Sequence, residues 1–251
     1  MELGGEQQMI SLGERNEGYL AKVGEPLIQF YGYKTCGVWN SAEEIAANPH
    51  FSDDAPGGIR IVDTNNDGSL TPEDRVALGT PYPDFTWGIT NTFQIKDFDI
   101  SFLIQGVQGI TVLNGDVYYN ETKKWNKKYT KNRWVSAEHP GDGKTPYQNV
   151  KTGHDLMLTD YPLQNASYAC LRNFTVGYTL PATAARKIKL SGVRFYVSGS
   201  NLLYIWGSGY KGINPESRMT SGNYSSAMIS GYQRGGFPLT STISAGFDIN
   251  F

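Results

Sequence analysis

Residues 63–74 combine the side chains and the spacing that a calcium-binding loop needs. Carboxylate or amide oxygens stand at loop positions 1, 3 and 5, and Gly68 stands at position 6, where EF-hand loops turn sharply. Position 7 would supply a backbone carbonyl, and position 9 would bind directly or through water. Position 12 is aspartate where an EF-hand has glutamate, which is closer to a dockerin-type loop. The candidate ligands are Asp63, Asn65, Asp67, Ser69, Thr71 and Asp74.

Two interpretations of this loop are compatible with its sequence. In the first, the oxygens bind calcium, and the ion makes an extracellular loop rigid. In the second, the Asn, Asp and Gly residues form a turn that their own side-chain hydrogen bonds hold together. Both interpretations give the loop a stabilising role, and neither indicates catalysis.

Aromatic side chains are frequent in the long polar stretches of the chain. Rings with a polar edge can stack on sugar faces, and four of them are candidates for substrate binding: Trp125, Trp134, Trp206 and Tyr210. Further aromatic residues of these stretches include Tyr118, Tyr119, Tyr129 and Tyr224. The alternative is that the rings pack the loops or form the aromatic girdle at a membrane surface.

A basic patch surrounds two of these tryptophans. It consists of Lys123, Lys124, Lys127, Lys128, Lys131 and Arg133. Such a patch can bind nucleic acid, but the chain as a whole carries a net charge of -2, which argues against that role. On an outward-facing loop the patch could meet lipopolysaccharide phosphates or a partner lipoprotein, or it could be a solvated loop face.

The residue types give no catalytic arrangement. The histidines have no partner at the spacing of a metal site or a catalytic triad, and the two cysteines lie far apart. These residues are His50, His139, His154, Cys36 and Cys170. The sequence contains no nucleophile elbow, phosphate-binding glycine loop or HExxH motif. We therefore expect the chain not to be an enzyme.

Five stretches alternate apolar and polar residues, which is the pattern of a β-strand with one apolar and one polar face. They are residues 85–96, 98–106, 168–180, 193–203 and 239–251. About ten tilted residues of this kind cross the hydrocarbon layer of a bilayer. Shorter elements are predicted at 25–34 (strand), at 41–48 (helix, with Ser41 as cap and Glu44 three residues on) and at 59–63 (strand). The long strands need water on one face and apolar surroundings on the other.

Short and long connections alternate between these strands. Residues 96–97 and 181–191 are short connections, whereas 35–84, 107–167 and 204–238 are long ones. Connections this long are uncommon in compact soluble domains, but outer-membrane barrels have short periplasmic turns and long extracellular loops. We therefore predict an all-β segment of an antiparallel barrel at 26–251, after a polar lead-in at 1–25 that was cut from a longer chain.

Several motifs resemble the carboxy-terminal part of TonB-dependent outer-membrane transporters of the SusC/RagA family. The longest is residues 59–88, IRIVDTNNDGSLTPEDRVALGTPYPDFTWG. The others are FYGY (30–33), FDISFLIQGVQG (98–109), YACLRNFTVGYTLP (168–181) and VRFYVSGSNLLYIW (193–206). Their order and spacing also agree, and the likeness covers roughly residues 26–251.

The resemblance implies the last strands of a twenty-two-stranded barrel in the outer membrane, with polar faces toward the lumen and apolar faces toward lipid. It implies import of glycans or other oligomeric nutrients. A SusD-like surface lipoprotein would cap the loops, and the TonB complex would act through amino-terminal parts that this chain lacks. The aromatic terminal residue, Phe251, would be recognised by the barrel-assembly machinery.

A second hypothesis comes from a different class of protein. The chain could be a secreted, calcium-dependent carbohydrate-binding β-domain. In such a domain the apolar strand faces pack on each other instead of on lipid, and the chain is a soluble monomer.

Overall fold

The computed structural model describes residues 6–12, 17–115, 132–147, 158–217, 231–233 and 236–251. Within these ranges the chain is mostly β-structure, with short helical segments between the strands. No helix of the described ranges is both long and apolar enough to cross a membrane. The chain divides into two compact units. The sheet unit consists of Pro83–Gly109, Ala166–Pro215 and Phe237–Phe251, and the loop unit of Met1–Tyr82, Ile110–Asn165 and Glu216–Gly236.

The elements follow one another along the chain in this order. The strands are β1 (Gln7–Leu12), β2 (Glu17–Lys22), β3 (Gln29–Gly32), β4 (Thr35–Val38), β5 (Ile59–Ile61), β6 (Val76–Gly79), β7 (Phe85–Ile95), β8 (Phe98–Gln108), β9 (Thr111–Asn114), β10 (Leu163–Asn165), β11 (Tyr168–Thr179), β12 (Gly192–Trp206), β13 (Tyr232–Gln233) and β14 (Thr242–Asn250). The helical segments are α1 (Ala42–Ala46), a 3-10 turn at Pro72–Asp74 and α2 (Ala182–Lys187).

The sheet unit is built on one antiparallel sheet with the strand order β14-β12-β11-β8-β7. Its five strands are the five predicted ones, and β12 runs beyond its predicted end to Trp206. Neighbours pair over most of their length; β7 and β8, for example, pair from Phe85 with Gln108 to Ile95 with Phe98. The predicted polar face is also present. One row of hydroxyl side chains crosses all five strands: Thr92, Ser101, Thr175, Ser198 and Ser244.

The opposite face of this sheet is apolar and exposed. Ile95 is 60% exposed, Phe247 65% and Ile243 74%. Burying such side chains is favourable by roughly 25 cal/mol per Å², so the face needs an apolar environment. A soluble carbohydrate-binding domain would pack these faces on each other, but the described part of the sheet unit leaves them uncovered. The other large exposed members are Phe85, Ile89, Phe93, Phe98, Phe195, Val197, Leu203, Ile205 and Ile249.

Both short connections lie at one end of the sheet. Lys96 and Asp97 join β7 to β8, and Lys96 adopts a positive φ of 53°, as a two-residue hairpin turn of the primed type requires. Residues 180–191 join β11 to β12. They contain α2, which the sequence did not predict, and Ala185 of this helix is buried.

The segments predicted as long loops contain strands and a core of their own. The loop unit holds three sheets, with strand orders β1-β2-β3-β6, β10-β9-β13 and β4-β5. One core cluster includes Tyr19, Ile28, Phe30 and Tyr232, none of them more than 2% exposed. Because β2 carries Tyr19, the polar lead-in at 1–25 takes part in this core.

The short elements predicted in the loop unit are present. The strand at 25–34 is reduced to β3, and the one at 59–63 corresponds to β5. The helix at 41–48 corresponds to α1, and the Ser41 hydroxyl accepts a hydrogen bond from the Glu44 amide (3.2 Å), which caps the helix as predicted.

We predict that a charge on the apolar face of the sheet prevents stable membrane assembly, whereas the same charge on the polar face is tolerated. Val197→Lys should cost about 2–4 kcal/mol if its strand crosses the bilayer centre. Ser198→Lys, the next residue along β12, is the matched control. The measurement is the folded fraction of the whole gene product in outer membranes, from its heat-dependent gel mobility. Equal folded fractions for the two variants would contradict a lipid-facing surface.

Candidate functional site

A charged cluster lies on the polar face of the sheet near its short-turn end. The Arg194 guanidinium donates to both carboxylate oxygens of Asp99, from Nε at 3.0 Å and from Nη2 at 2.7 Å. It also reaches Asp248 on β14, with Nη1 at 3.4 Å from the carboxylate. The ring of Tyr196 lies 5.2 Å below the guanidinium. The Arg194 cation and the carboxylates of Asp99 and Asp248 are thus held together on the polar face of the sheet.

Gly177 is what allows this ion pair to form. Asp99 lies on β8 and Arg194 on β12, and β11 runs between them. A Cβ atom at position 177 would lie 2.3 Å from the Asp99 carboxylate and 2.5 Å from Arg194 Nη2. Only a residue without a side chain lets the pair close over the intervening strand.

A second cluster forms around Arg172, at a β-bulge in β11. The pairing of β11 with β8 skips Arg172, so this residue is inserted into the strand and its side chain is redirected. Its Nη1 donates to Asn201 Oδ1 at 2.7 Å and to the Tyr204 hydroxyl at 2.9 Å. Gln105, with its amide oxygen turned toward the guanidinium, accepts from Nε at 3.1 Å. Arg172 is thereby held rigidly on the polar face.

An aromatic row continues from this cluster toward the end of the sheet that is opposite the short turns. Ring centroids are separated by 6.1 Å for Tyr168 and Tyr204, 6.5 Å for Tyr204 and Trp206, and 6.2 Å for Trp206 and Tyr210. Tyr168 and Tyr210 are buried, whereas Trp206 is 43% exposed. Because Tyr204 and Trp206 lie on the same face as Arg172, they belong to the polar face of the sheet and not to an aromatic girdle on the apolar face.

Two of the four predicted substrate-binding residues, Trp206 and Tyr210, are therefore neighbours in the sheet unit. Trp134 belongs to the loop unit, where it packs edge-on against Tyr147 and donates from Nε1 to Asn40 Oδ1 at 2.9 Å. Trp125 lies outside the described residues, as do the lysines of the basic patch.

Sequence reasoning missed Arg172, Tyr168 and Tyr204. The predicted β12 ended at residue 203, one residue before Tyr204. Extending its alternation through Tyr204 and Trp206 would have placed both rings on the polar face. The only sequence signal of the bulge is a change of phase, because the apolar positions change from odd at Leu171 to even at Phe174.

The 63–74 loop has the internal hydrogen bonds of a tight oxygen-rich turn. The Gly68 amide donates to Asp63 Oδ2 at 2.9 Å, the Asp67 amide to Asn65 Oδ1 at 2.9 Å, and the Ser69 amide to Asp67 Oδ1 at 2.8 Å. Gly68 has a φ of +85°, as the turn at position 6 requires. The other oxygen of Asp63, Oδ1, is buried and has no hydrogen-bond partner among the residues that the structure describes.

Asp74 holds the two ends of this loop together. Its Oδ1 accepts from the Thr64 amide at 2.8 Å, and its Oδ2 accepts from the Thr71 amide at 2.8 Å. The Thr71 hydroxyl in turn accepts from the Glu73 amide, so Thr71 and Asp74 cap the 3-10 turn. Burial alone would raise the pKa of Asp74, but the amides of Thr71, Thr64 and Asn65 outweigh burial and lower it. In the described ranges no three His, Cys, Asp or Glu side chains converge on a possible metal position.

Curated proteins with related sequences are TonB-dependent receptors. TonB-dependent receptor P26 of Formosa agariphila is 31% identical over 239 residues, which are 91% of this chain and 23% of the receptor. Receptor P3 of the same organism is 30% identical over 92% of this chain. TonB-dependent receptor SusC of Bacteroides thetaiotaomicron is 27% identical over 62% of it. Over most of its length the chain is therefore similar to TonB-dependent receptors, SusC among them. No family model matches it.

Solved structures agree with this similarity at the level of the fold. The RagAB peptide transporter aligns with 99% of the chain at a TM-score of 0.71 and 19% identity. The RagAB peptide importer in its closed-closed state aligns with 100% at a TM-score of 0.69 and 20% identity. The chain spans about a quarter of each of these structures and 23% of the first two relatives.

The similarity to TonB-dependent receptors accounts for the two faces of the sheet. SusC/RagA-type receptors are β-barrels of the outer membrane, so the predicted fold and location are confirmed. The relatives are described as receptors and importers, which agrees with the expectation that the chain is not an enzyme. In such a barrel the exposed apolar face of the sheet meets lipid, and the face with Arg194, Arg172 and Trp206 meets the water-filled interior.

We predict that Asp74→Ala opens the 63–74 loop. Removing the carboxylate leaves buried amides without an acceptor, at a cost on the order of 2–4 kcal/mol. Hydrogen exchange of the whole gene product in detergent should accelerate in residues 62–75. Asp67→Ala removes an exposed carboxylate from the same loop and should accelerate exchange much less. Equal acceleration would contradict the role assigned to Asp74.

The protection that Asp74 gives should also depend on pH. Because the pKa of Asp74 is lowered in the folded state, its stabilising contribution is complete above the unfolded-state pKa of about 3.9. The contribution is lost as the pH falls through the lower folded-state pKa. Exchange protection, corrected for the intrinsic rate, should be constant from about pH 8 to pH 5 and decline below about pH 4. Protection that persists unchanged at about pH 2 would contradict this assignment.

Proposed function

We propose that the chain forms part of the wall of an outer-membrane importer of oligomeric nutrients. The observation that carries this proposal is the division of one exposed sheet into an apolar face and a face of ordered charges, hydroxyls and aromatic rings. A single sheet with these two faces suits a wall between lipid and water. The names of the related proteins, TonB-dependent receptor and RagAB peptide importer, support the same class of function.

The partners in this proposal are those of a TonB-dependent uptake system. A SusD-like lipoprotein would cover the extracellular loops, and the TonB complex would supply energy. The likeness to SusC and to the two-component RagAB importer supports the first of these partners. Phe251 follows β14 directly and is 94% exposed, so it is accessible for recognition by the barrel-assembly machinery.

The proposed substrates are glycans or peptides that slide along the polar wall. Trp206 offers an exposed ring, and the rings of Tyr204 and Tyr210 both contact it. A planar ring of this kind binds the apolar face of a sugar or a peptide side chain without a specific hydrogen bond. Arg172 lies beside the row, with its guanidinium 5.8 Å from the ring centre of Tyr204.

We predict that Trp206→Ala slows uptake by about two- to tenfold, since a lost ring contact is worth about 0.5–1.5 kcal/mol. The experiment compares deletion and complemented strains of the producing bacterium on single oligosaccharides and peptides as sole nutrients. Trp87→Ala is the control, because Trp87 packs over Gly106 on the apolar face. A deletion strain that grows normally on every nutrient would refute the importer, and equal uptake by the Trp206 and Trp87 variants would refute the role of Trp206.

We also propose that the 63–74 loop binds calcium. The buried Asp63 Oδ1 without a partner supports this, because an acceptor in that position is costly unless a cation or a donor meets it. Asp63, Asn65 and Asp67, the Ser69 carbonyl and Thr71 offer the hard oxygen atoms that calcium prefers. Both oxygens of Asp74 are bonded to amides, so Asp74 acts in this proposal by holding the loop closed.

The calcium proposal predicts slower proteolysis of the loop when the ion is present. At a calcium concentration ten times the Kd, tryptic cleavage after Arg60 and Arg75 in the whole gene product should slow by about tenfold relative to EDTA. Asp63→Asn should abolish the difference, and Asp53→Asn, an exposed aspartate outside the loop, should retain it. Cleavage rates that calcium does not change in the unaltered protein would refute the proposal.

A further inference from the structure

A groove of about 320 Å³ lies on the apolar face of the sheet unit, across β11, β12 and β14. The side chains of Val176 and Val197 form its walls, and Ala245 leaves it open on β14. Ala245 is the smallest side chain on its face of this strand, between Ile243 and Phe247. The rest of the lining is Tyr178, Phe195 and the backbone at Gly177, Tyr196 and Gly246. The groove is therefore apolar and open to the environment that this face meets.

A second aromatic row, on the apolar face of the sheet, borders the groove on the side of the short turns. Phe247, Phe195, Tyr178 and Phe98 are direct partners on four successive strands. The rings of Phe98 and Tyr178 lie 4.8 Å apart. Aromatic residues in such a row mark the level at which a barrel passes from hydrocarbon to headgroups. The groove thus lies on the hydrocarbon side of this level.

The two short turns beyond the aromatic row are basic. They contain four exposed basic side chains, Lys96, Arg186, Lys187 and Lys189, against one acidic side chain, Asp97. None of the four basic groups forms an ion pair within the described ranges. The chain as a whole has a net charge of -2, so these two turns are more basic than the chain as a whole.

The separation between groove and basic turns matches one lipid molecule. From Val176 to Leu180 the strand advances four residues, about 13 Å at 3.3 Å per residue. An acyl chain in the groove therefore places its glycerol near the aromatic row and its phosphate near the turns. Each Lys or Arg near an anionic lipid surface adds to the attraction.

We propose that this surface is a specific site for an anionic phospholipid of the periplasmic leaflet. One acyl chain fills the groove beside Ala245, and the phosphate contacts the basic side chains of the two turns. The short turns of outer-membrane barrels face the periplasm, which makes a phospholipid the occupant. This site is independent of import and of the calcium loop, and it rests on the apolar face, the charges of the two turns and the outer-membrane location.

The experiment uses the whole gene product, purified in detergent and stripped of lipid. Phosphatidylglycerol or phosphatidylcholine is then added in equal amounts, and the lipid that stays bound is counted by native mass spectrometry. The charge variant is Arg186→Gln with Lys187→Gln and Lys189→Gln, and its control is Lys22→Gln with Lys34→Gln and Lys144→Gln, which are also exposed. The groove variant is Ala245→Phe. Its control is Ile243→Phe, at a site that does not line the groove.

We expect the unaltered protein to retain phosphatidylglycerol over phosphatidylcholine and the charge variant to lose this preference by about tenfold or more. Ala245→Phe should lower retention of both lipids, whereas the two controls should behave like the unaltered protein. Equal retention of the two lipids by the unaltered protein would overturn the proposal. So would a charge control that loses as much preference as the charge variant. Since the charged residues are exposed and outside the strands, their variant tests the proposal even if Ala245→Phe does not assemble.

Discussion

The antiparallel hydrogen-bond ladder from β14 to β7 is the interaction on which the rest of the sheet unit depends. In hydrocarbon a backbone amide or carbonyl has no water to bond with, and only a neighbouring strand can satisfy it. The ladder satisfies these groups strand by strand and leaves the side chains to meet two different environments. The register of this pairing decides which side chains lie on the apolar face and which on the polar face, because a slip of one residue would exchange the two faces. Pairs such as Phe195 with Phe247 and Ser198 with Ser244 show that this register is kept on both faces.

The pairing in this ladder is irregular at the bulge in β11, where Arg172 is inserted. Inserting Arg172 costs pairing with β8 at that point, and the cost is offset by the bonds that its guanidinium makes to Gln105, Asn201 and Tyr204. Asn201 contributes from a left-handed backbone position, with a φ of 55°. The side chain that the bulge redirects, that of Arg172, lies on the polar face, which meets water.

The five long strands could be predicted from the sequence because alternation with period two is a direct consequence of strand geometry. The cap at Ser41 could be predicted as well, because Glu44 follows three residues later, as in a capping box. Most of the loop unit could not be predicted, since short strands such as β9 and β13 are buried without alternation and pair across large sequence distances. Helix α2 was not predicted, because six residues are too few to show the helical spacing of apolar positions. The ligand pattern at 63–74 predicted the turn, but not that Asp74 would turn both oxygens toward backbone amides.

The ion pair over Gly177 has a consequence for the order in which the sheet forms. Asp99 and Arg194 lie on strands that never bond to each other, and they meet only when β11 is seated between β8 and β12. Closing the pair therefore requires three strands in correct register, and the second carboxylate, Asp248, extends the requirement to β14. A slipped or missing strand would leave the guanidinium without its partners. The two ion pairs of Arg194 therefore stabilise only the arrangement in which all four strands are present and in register.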